Sequence, residues 1–319
     1  MRYTHDIDPV IGTILGIHLW WYGLSYTLGF INAHFFLKRR RHDLGLDLQQ
    51  VFCLSLLLMT GVLLGGRIIE VAFYEWEFYR DNLALIPAYW LGGMASHGLL
   101  LGGLIAVWVF CRMNKVPFLR MTDALSIPAT FILGMGRIGN FIDGQIVGSV
   151  TSVPWAVKFP DADGFRHPVV LYDGIKNLLI IPVLAALARN QPRPGCVTGV
   201  FVFLYSFLRI PVDVFREYPT SLLGLATGQM LNLAFSVIGI SIIVRAINLS
   251  EAVADHQHSR SHPVSETTLR MQRIAFVAIL LFCLTMPSDW TQNVPERYGS
   301  RHHGLVHSNI YPDISPEPE

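Results

Sequence analysis

The chain alternates long apolar runs with short polar breaks. A bilayer-crossing helix needs about 20 mostly apolar residues. Runs of that kind fall at roughly 12–37, 51–73, 89–111, 121–137, 168–188, 196–216 and 226–247. An eighth run, IAFVAILLFCLTM at 274–286, is shorter and would either span or lie at the interface. The pattern predicts an all-α polytopic membrane protein with seven transmembrane helices and an eighth, C-terminal apolar helix. Residues 1–249 form the helical body, and within it the polar, Pro- and Gly-punctuated stretch 138–167 predicts a small outer head. Residues 250–273 read as a polar linker and 274–287 as the extra helix. The tail, 288–319, has the composition of a disordered segment. No internal repeat stands out, which weighs against an inverted-repeat transporter.

Charge gives this pattern a direction. The loops after the first, third, fifth and seventh runs read KRRRHD, CRMNKVPFLR, RNQPRPG and RAINLSEA, whereas the alternate loops are mixed or acidic. Basic loops stay in the cytoplasm, so the N-terminus and the alternate loops are expected outside. The opening MRYTHDIDPV lacks a basic start and no small-residue cleavage site follows, so a removed signal peptide is not expected.

Composition agrees: 52% of the 319 residues are hydrophobic and only 15% charged, with a mean hydropathy of +0.42. The net charge of +1 gives no basic field for nucleic acid. Four cysteines, Cys53, Cys111, Cys196 and Cys283, stand singly and read as small core residues.

Ionisable groups inside apolar runs are costly, which makes each a functional candidate. They are Arg67, His97, Arg137, Asp173 with Lys176, and Arg209 with Asp213. Arg67 reads either as part of an outer anion site or as a side chain snorkelling to the interface. Asp173 and Lys176, three apart, would satisfy each other on one helix, and Arg209 and Asp213, four apart, likewise. Pro211 between the latter two disturbs the helix and suits a cavity wall. His97, in GGMASHGLLLGG deep in the third run, reads as a core histidine or as a catalyst. Arg67, Arg137 and Arg209 all fall towards the outer side, where guanidinium forks suit phosphate. The glycines at 134, 136, 139 and 144 would let backbone N–H groups reach the same anion. In a membrane that anion is a phospholipid headgroup.

At this point the residues resemble a known family. GRIGNFIDGQIVGSVTSVPWAVKFP is similar to the signature of the bacterial phosphatidylglycerol–prolipoprotein diacylglyceryl transferases, Gly-Arg-x-Gly-Asn-Phe-x-Asn-x-Glu-x-x-Gly. WWYGLSYTLGF, LLGGRIIEVAFY, GGMASHGLLLGG, RHPVVLYDGI, YSFLRIPVDVFRE and TGQML look like the family's other blocks, in the family's order, over roughly 9 to 247. The resemblance implies transfer of the diacylglyceryl group of phosphatidylglycerol to the lipobox cysteine of a prolipoprotein signal peptide. It implies no metal or organic cofactor, and a multi-pass place in the bacterial inner membrane with the site towards the periplasm. Carried over residue by residue, Arg137 and Asn140 match the essential pair of the signature and Gly148 its downstream glycine. Arg209 matches the arginine of the sixth span, Tyr205 the tyrosine one turn before it, His97 the histidine proposed as thiol base, and Tyr22 the tyrosine of the first motif.

Several positions depart from the pattern. Asn-Gly-Glu becomes Asp143-Gly144-Gln145, and two glutamates are shortened to Asp173 and Asp213. Ser-Phe-His-Gly-Gly reads Ala95-Ser96-His97-Gly98-Leu99, and an aspartate before Gly-Gly-Met is Leu91. Asp143, Gln145 and Asp213 are therefore expected near the substrate in altered roles. The rivals are a non-catalytic lipid- or signal-peptide-binding relative and a small-anion transporter. The histidines at 256, 258, 262, 302, 303 and 307 invite a metal reading, disfavoured because the two sets would lie on opposite membrane faces if the eighth run spans.

Overall fold

The computed structural model describes residues 3–217, 227–248 and 265–288, together with residues 294, 298, 299, 301, 302 and 305. The readings made for His256, His258, His262, His303 and His307, for the linker 250–264 and for the tail beyond 305 lie outside the described residues.

The first apolar run does not form one helix. After a short strand, β1 (Tyr3–Thr4), β2 (Val10–Ile14) and β3 (Ile17–Trp20) pair antiparallel, with Thr13 opposite His18 and Ile14 opposite Ile17. Leu15 and Gly16 make the two-residue turn with φ of 51° and 81°, which matches strand twist. Helix α1 (Trp21–Arg40) begins only there, so the span expected from residue 12 is corrected. Val10, Ile11, Thr13, Ile14 and Ile17 are β-branched, and two glycines interrupt them; both features favour strand over helix.

Helix α2 (Leu48–Ile69) opens on a capping box, Asp47 accepting from the Gln50 N–H and the Gln50 side chain from that of Asp47. It widens into a π-helical turn at 70–74, and a short α3 (Trp76–Asp81) follows. Residues 83–95 are mostly irregular, so α4 (Ser96–Asn114) starts at 96 and not at 89 as expected. Helix α5 (Phe118–Ile142) runs past its expected end at 137. Strand β4 (Val157–Lys158) pairs parallel with β1, and α6 (Val169–Arg189) follows. The sixth run is broken at Leu208 into α7 (Cys196–Phe207) and α8 (Arg209–Asp213). Pro211 has no N–H to offer the Phe207 carbonyl, and the break falls there. Then come α9 (Thr227–Asn248) and α10 (Glu266–Cys283), which starts ahead of the apolar run at 274.

The protein is mostly helical with little sheet. Among the described residues, six helical segments are long and apolar enough to cross a membrane: 48–74, α4, α5, α6, 196–213 and 228–248. Lipid gives helices no hydrophobic reason to associate, so close backbone packing has to do it. A Cβ on Gly61 would lie 2.5 Å from the Gly102 carbonyl, and one on Gly65 2.8 Å from Gly102 Cα, so α2 and α4 meet backbone to backbone. On the other side, a Cβ on Gly239 of α9 would lie 2.6 Å from Phe203 N of α7.

Two ends result. The Lys38–Arg41, Lys115–Arg120 and Arg189–Arg193 loops share one, tied by Arg120 to the Asp43 carbonyl and by Asp123 to the N–H groups of Gly195 and Thr198. At the other end lies a cap made of the hairpin, the 83–93 segment, residues 143–168 and the described residues beyond α10. Val10, Trp20, Ala88, Leu91, Val294, Tyr298 and Leu305 form one buried apolar cluster in it. His302 Nε2 sits 2.9 Å from the Asp8 carboxylate. Burial alone would raise the Asp8 pKa, but the His302 contact holds it below the ordinary value.

Candidate active site

A cavity of about 540 Å³ lies inside the bundle, walled by α1, α2, α4, α5 and α7. Along α1 its lining runs from Tyr22 to His34 and along α5 from Asn140 to Thr122, roughly 18 Å and 27 Å at the helical rise per residue. The lining is apolar for most of that depth, as an acyl chain requires. The capped end is polar. Tyr22, His97, Arg137, Asn140, Gln145 and Tyr205 all line the cavity.

The centre of the polar end is a carboxylate. Asp173 is 1% exposed; its Oδ2 lies 2.7 Å from Arg137 Nε and accepts from Arg209 Nη1, and its Oδ1 lies 2.9 Å from Lys176 Nζ. Arg209 Nε also reaches Asp213 Oδ1 at 3.0 Å, and Arg216 stands 3.8 Å from the same oxygen. Four cations thus share two carboxylates, and of the four Arg137 lines the cavity. The local i,i+3 and i,i+4 pairs read from the sequence form, and Asp173 also joins them to Arg137 of another helix, so that Arg137 and Arg209 converge on a carboxylate of the chain itself. Gly174 has no side chain to hold α6 away, and Arg137 Cβ lies 3.2 Å from where its Cβ would stand.

Around this hub, Arg137 Nη1 donates to Asn140 Oδ1 at 3.4 Å. Lys176 donates to the Tyr205 carbonyl at 3.1 Å, its ammonium 4.5 Å from that ring's centre. The Tyr22 hydroxyl donates to that of Tyr26 at 3.2 Å. Gly144, at φ 69°, turns the chain so that the Gln145 N–H returns to the Asn140 carbonyl at 2.9 Å.

His97 is exposed and sits in the first turn of α4, at the cavity rim and not deep in the span as expected; its Nδ1 is 3.5 Å from the Tyr74 hydroxyl. Arg209 and Asp213 stand behind the lining, connected to it through Asp173. Asp143 is buried and outside the lining. Gly148 also lies outside the cavity: a Cβ there would meet the His167 and Phe215 carbonyls at 2.6 and 2.8 Å, so the position packs the cap.

Two expectations are corrected. Gly134, Gly136 and Gly139 lie inside α5, where their N–H groups serve the helix. Their lack of side chains admits neighbours instead, a Cβ on Gly139 meeting Tyr22 Cα at 3.0 Å. Arg67 belongs to no anion site and does not snorkel. It is 2% exposed and donates to the carbonyls of Leu85, Ile86, Ala88, Gly92 and Gly93, with the Tyr79 and Tyr89 rings 4.9 and 5.4 Å from its guanidinium. Among residues not singled out from the sequence, Tyr26 and Glu70 line the cavity. The i,i+4 spacing of Tyr22 and Tyr26 was the signal for the first.

The model of the prolipoprotein diacylglyceryl transferase family matches residues 9–245, the stretch that carries the hub, the cavity helices and the signature. The chain belongs to this family. A phosphatidylglycerol–prolipoprotein diacylglyceryl transferase of Mannheimia succiniciproducens is 38% identical over 258 residues, covering 78% of this chain and 96% of the relative. One from Geobacter sulfurreducens is 37% identical over 253 residues, covering 76% and 96%. One from Sinorhizobium medicae is 36% identical over 266 residues, covering 77% and 95%. The prolipoprotein diacylglyceryl transferase match ends before α10, so that helix and the cap residues after it extend beyond the family's shared body.

Proposed function

We propose that the chain transfers the diacylglyceryl group of phosphatidylglycerol to the lipobox cysteine thiol of prolipoproteins, the first step of lipoprotein maturation. The observation that carries this reading is a deep apolar cavity ending in a cation-rich cluster, in a chain that belongs to the diacylglyceryl transferase family. The acyl chains occupy the apolar depth and the phosphate meets Arg137. In the reaction the thiolate sulfur attacks the glycerol carbon bearing the phosphate ester. A C–S bond forms as the C–O bond breaks, and the electron pair leaves with glycerol phosphate. Charge grows on the departing phosphate, where a fixed guanidinium is worth most. Arg209 acts through Asp173 to hold Arg137 in place and adds positive potential. A thiol of pKa about 8.5 needs a base or a positive field to react at neutral pH, and His97 on the rim takes its proton. Asn140, Tyr22, Tyr205 and Gln145 orient the headgroup. Asp143, Asp213 and Gly148 support that wall from behind.

The placement supported is the bacterial inner membrane. The basic loops share the end opposite the cap, so the positive-inside tendency puts them in the cytoplasm and the cap in the periplasm as a small head. We read α1 and α10 as further crossings, giving seven transmembrane helices in the body 1–249 and an eighth beyond it. The test is the purified protein in detergent with phosphatidylglycerol and a synthetic lipobox peptide, read by mass spectrometry. A diacylglyceryl mass gain that disappears in Arg137→Ala supports the transferase. Lipid binding without any mass gain would leave a binding relative in its place.

A further inference from the structure

The described residues beyond the family's shared segment reach the site. Helix α10 lies against α1 and α2: a Cβ on Gly23 would meet the Leu284 backbone at 2.9 Å, Thr27 Oγ1 donates to the Leu280 carbonyl at 3.2 Å, and the Trp20 N–H donates to the Leu284 carbonyl at 2.9 Å. Its C-terminus therefore arrives at the capped end. There Ser288 enters the cavity wall, its Oγ buried and without a hydrogen-bond partner among the described residues. Tyr298 is buried, its ring centre 5.2 Å from that of Trp20, which is itself fully buried. Its hydroxyl lies 3.5 Å from Gln145 Nε2. From Gln145 the chain of contacts continues through the Asn140 carbonyl, Asn140 Oδ1 and Arg137 to Asp173. Leu91, where the family pattern has an aspartate, is 0% exposed in the cluster that holds Val294, Tyr298 and Leu305. A carboxylate there would be buried among apolar side chains, so leucine fits a site that the extension covers.

We propose that the residues described beyond α10 are a working part of the lipid site, with Tyr298 a positioning residue that holds the Gln145 carboxamide at the cavity wall and so sets how tightly the phosphatidylglycerol headgroup binds. The inference rests on the transferase reading for its ligand but is tested by binding alone. The full chain in detergent is titrated with short-chain phosphatidylglycerol, with phosphatidylcholine of the same chains as the reference. Tyr298→Phe keeps the ring against Trp20 and removes only the hydroxyl. It is expected to weaken phosphatidylglycerol binding by about two- to five-fold, the lower part of the range for one hydrogen bond because the contact is long, and to leave phosphatidylcholine binding unchanged. Because Tyr298 acts through Gln145, the double variant with Gln145→Ala should bind no more weakly than Gln145→Ala alone. Unchanged phosphatidylglycerol binding by Tyr298→Phe, or losses that add in the double variant, overturns the proposal. The thermal midpoint of each variant is read in the same samples. If Tyr298→Phe loosens the cap, Gln145→Asn, which withdraws the amide by one methylene, carries the test instead, and binding equal to wild type overturns it. A wild type that binds the lipid selectively but never alkylates the peptide refutes the transferase and leaves this inference standing. One that turns over while Tyr298→Phe binds normally does the reverse.

Discussion

Replacing Asp173 by asparagine keeps the shape of the side chain and removes one charge, from the point where Arg137, Arg209 and Lys176 meet. With Asp173 only 1% exposed and its contacts to Arg137 and Lys176 at 2.7 and 2.9 Å, the three cations lose their shared counter-charge at once. Removing one partner of a buried ion pair costs about 3–5 kcal/mol, because the remaining charge is left unpaired. For a 319-residue chain that corresponds to a fall in thermal midpoint of roughly 5–7 °C. The assay is thermal unfolding in a neutral detergent, followed by intrinsic tryptophan fluorescence. A second arm repeats it with phosphatidylglycerol and with phosphatidylcholine. The anionic lipid should restore part of the loss in Asp173→Asn, and more than it adds to the wild type, because the unpaired guanidiniums then find a phosphate. Turnover should still fall at least tenfold, since Arg137 is no longer held at the cavity wall. A midpoint within 2 °C of wild type, at the roughly 0.1 M salt where the screening length is about 10 Å, would refute the claim that this carboxylate holds the cluster together.

Arg67→Lys retains the charge but offers three donors where five carbonyls are satisfied now, so it should destabilise the protein by about 2–4 kcal/mol; hydrogen exchange over residues 85–93 should rise while exchange in α9 stays the same. His97→Gln should lower kcat by roughly 10²–10⁴-fold near pH 7 with little change in the KM for phosphatidylglycerol. The deficit should shrink towards pH 9, where the substrate thiol ionises unaided; a deficit independent of pH would mean that His97 is not the base. Gly61→Ala puts a methyl 2.5 Å from the Gly102 carbonyl and should cost about 1–3 kcal/mol by overpacking, whereas Leu64→Ala, on the exposed face, should be close to neutral in the same unfolding assay.

The crossing helices were legible because a bilayer imposes one length and one polarity, and α2, α6 and α9 begin and end within a few residues of their apolar runs. The first run was misread because apolarity alone does not separate a strand from a helix, and Leu15-Gly16 marks a turn only through its backbone angles. The start of α4 was hidden because Arg67 takes the carbonyls of 85–93 from some twenty residues away in sequence, and no local pattern records that. Within the site, Arg137 stood out as a charge in apolar surroundings, whereas Asn140 and Tyr205 were reached through the family resemblance. Asp173 stood out too, but its nearest charged neighbour in sequence, Lys176, was enough to explain it, and only the packing of α5 on α6 shows that it serves three cations. Tyr298 lay in a stretch without pattern and gave no signal.

The glycine contacts between α2 and α4, and between α7 and α9, also govern how the bundle can deform. Where backbones touch, no side chain can change rotamer to let one helix slide along the other, so each pair behaves as a stiff rib. The cavity wall draws on both ribs, through Gly103 and Leu104 of α4 and Phe201 and Val202 of α7. Its width therefore changes by tilting whole ribs and not by bending their members. A diacyl lipid leaving as a longer, peptide-linked product would be accommodated by that hinge-like compliance.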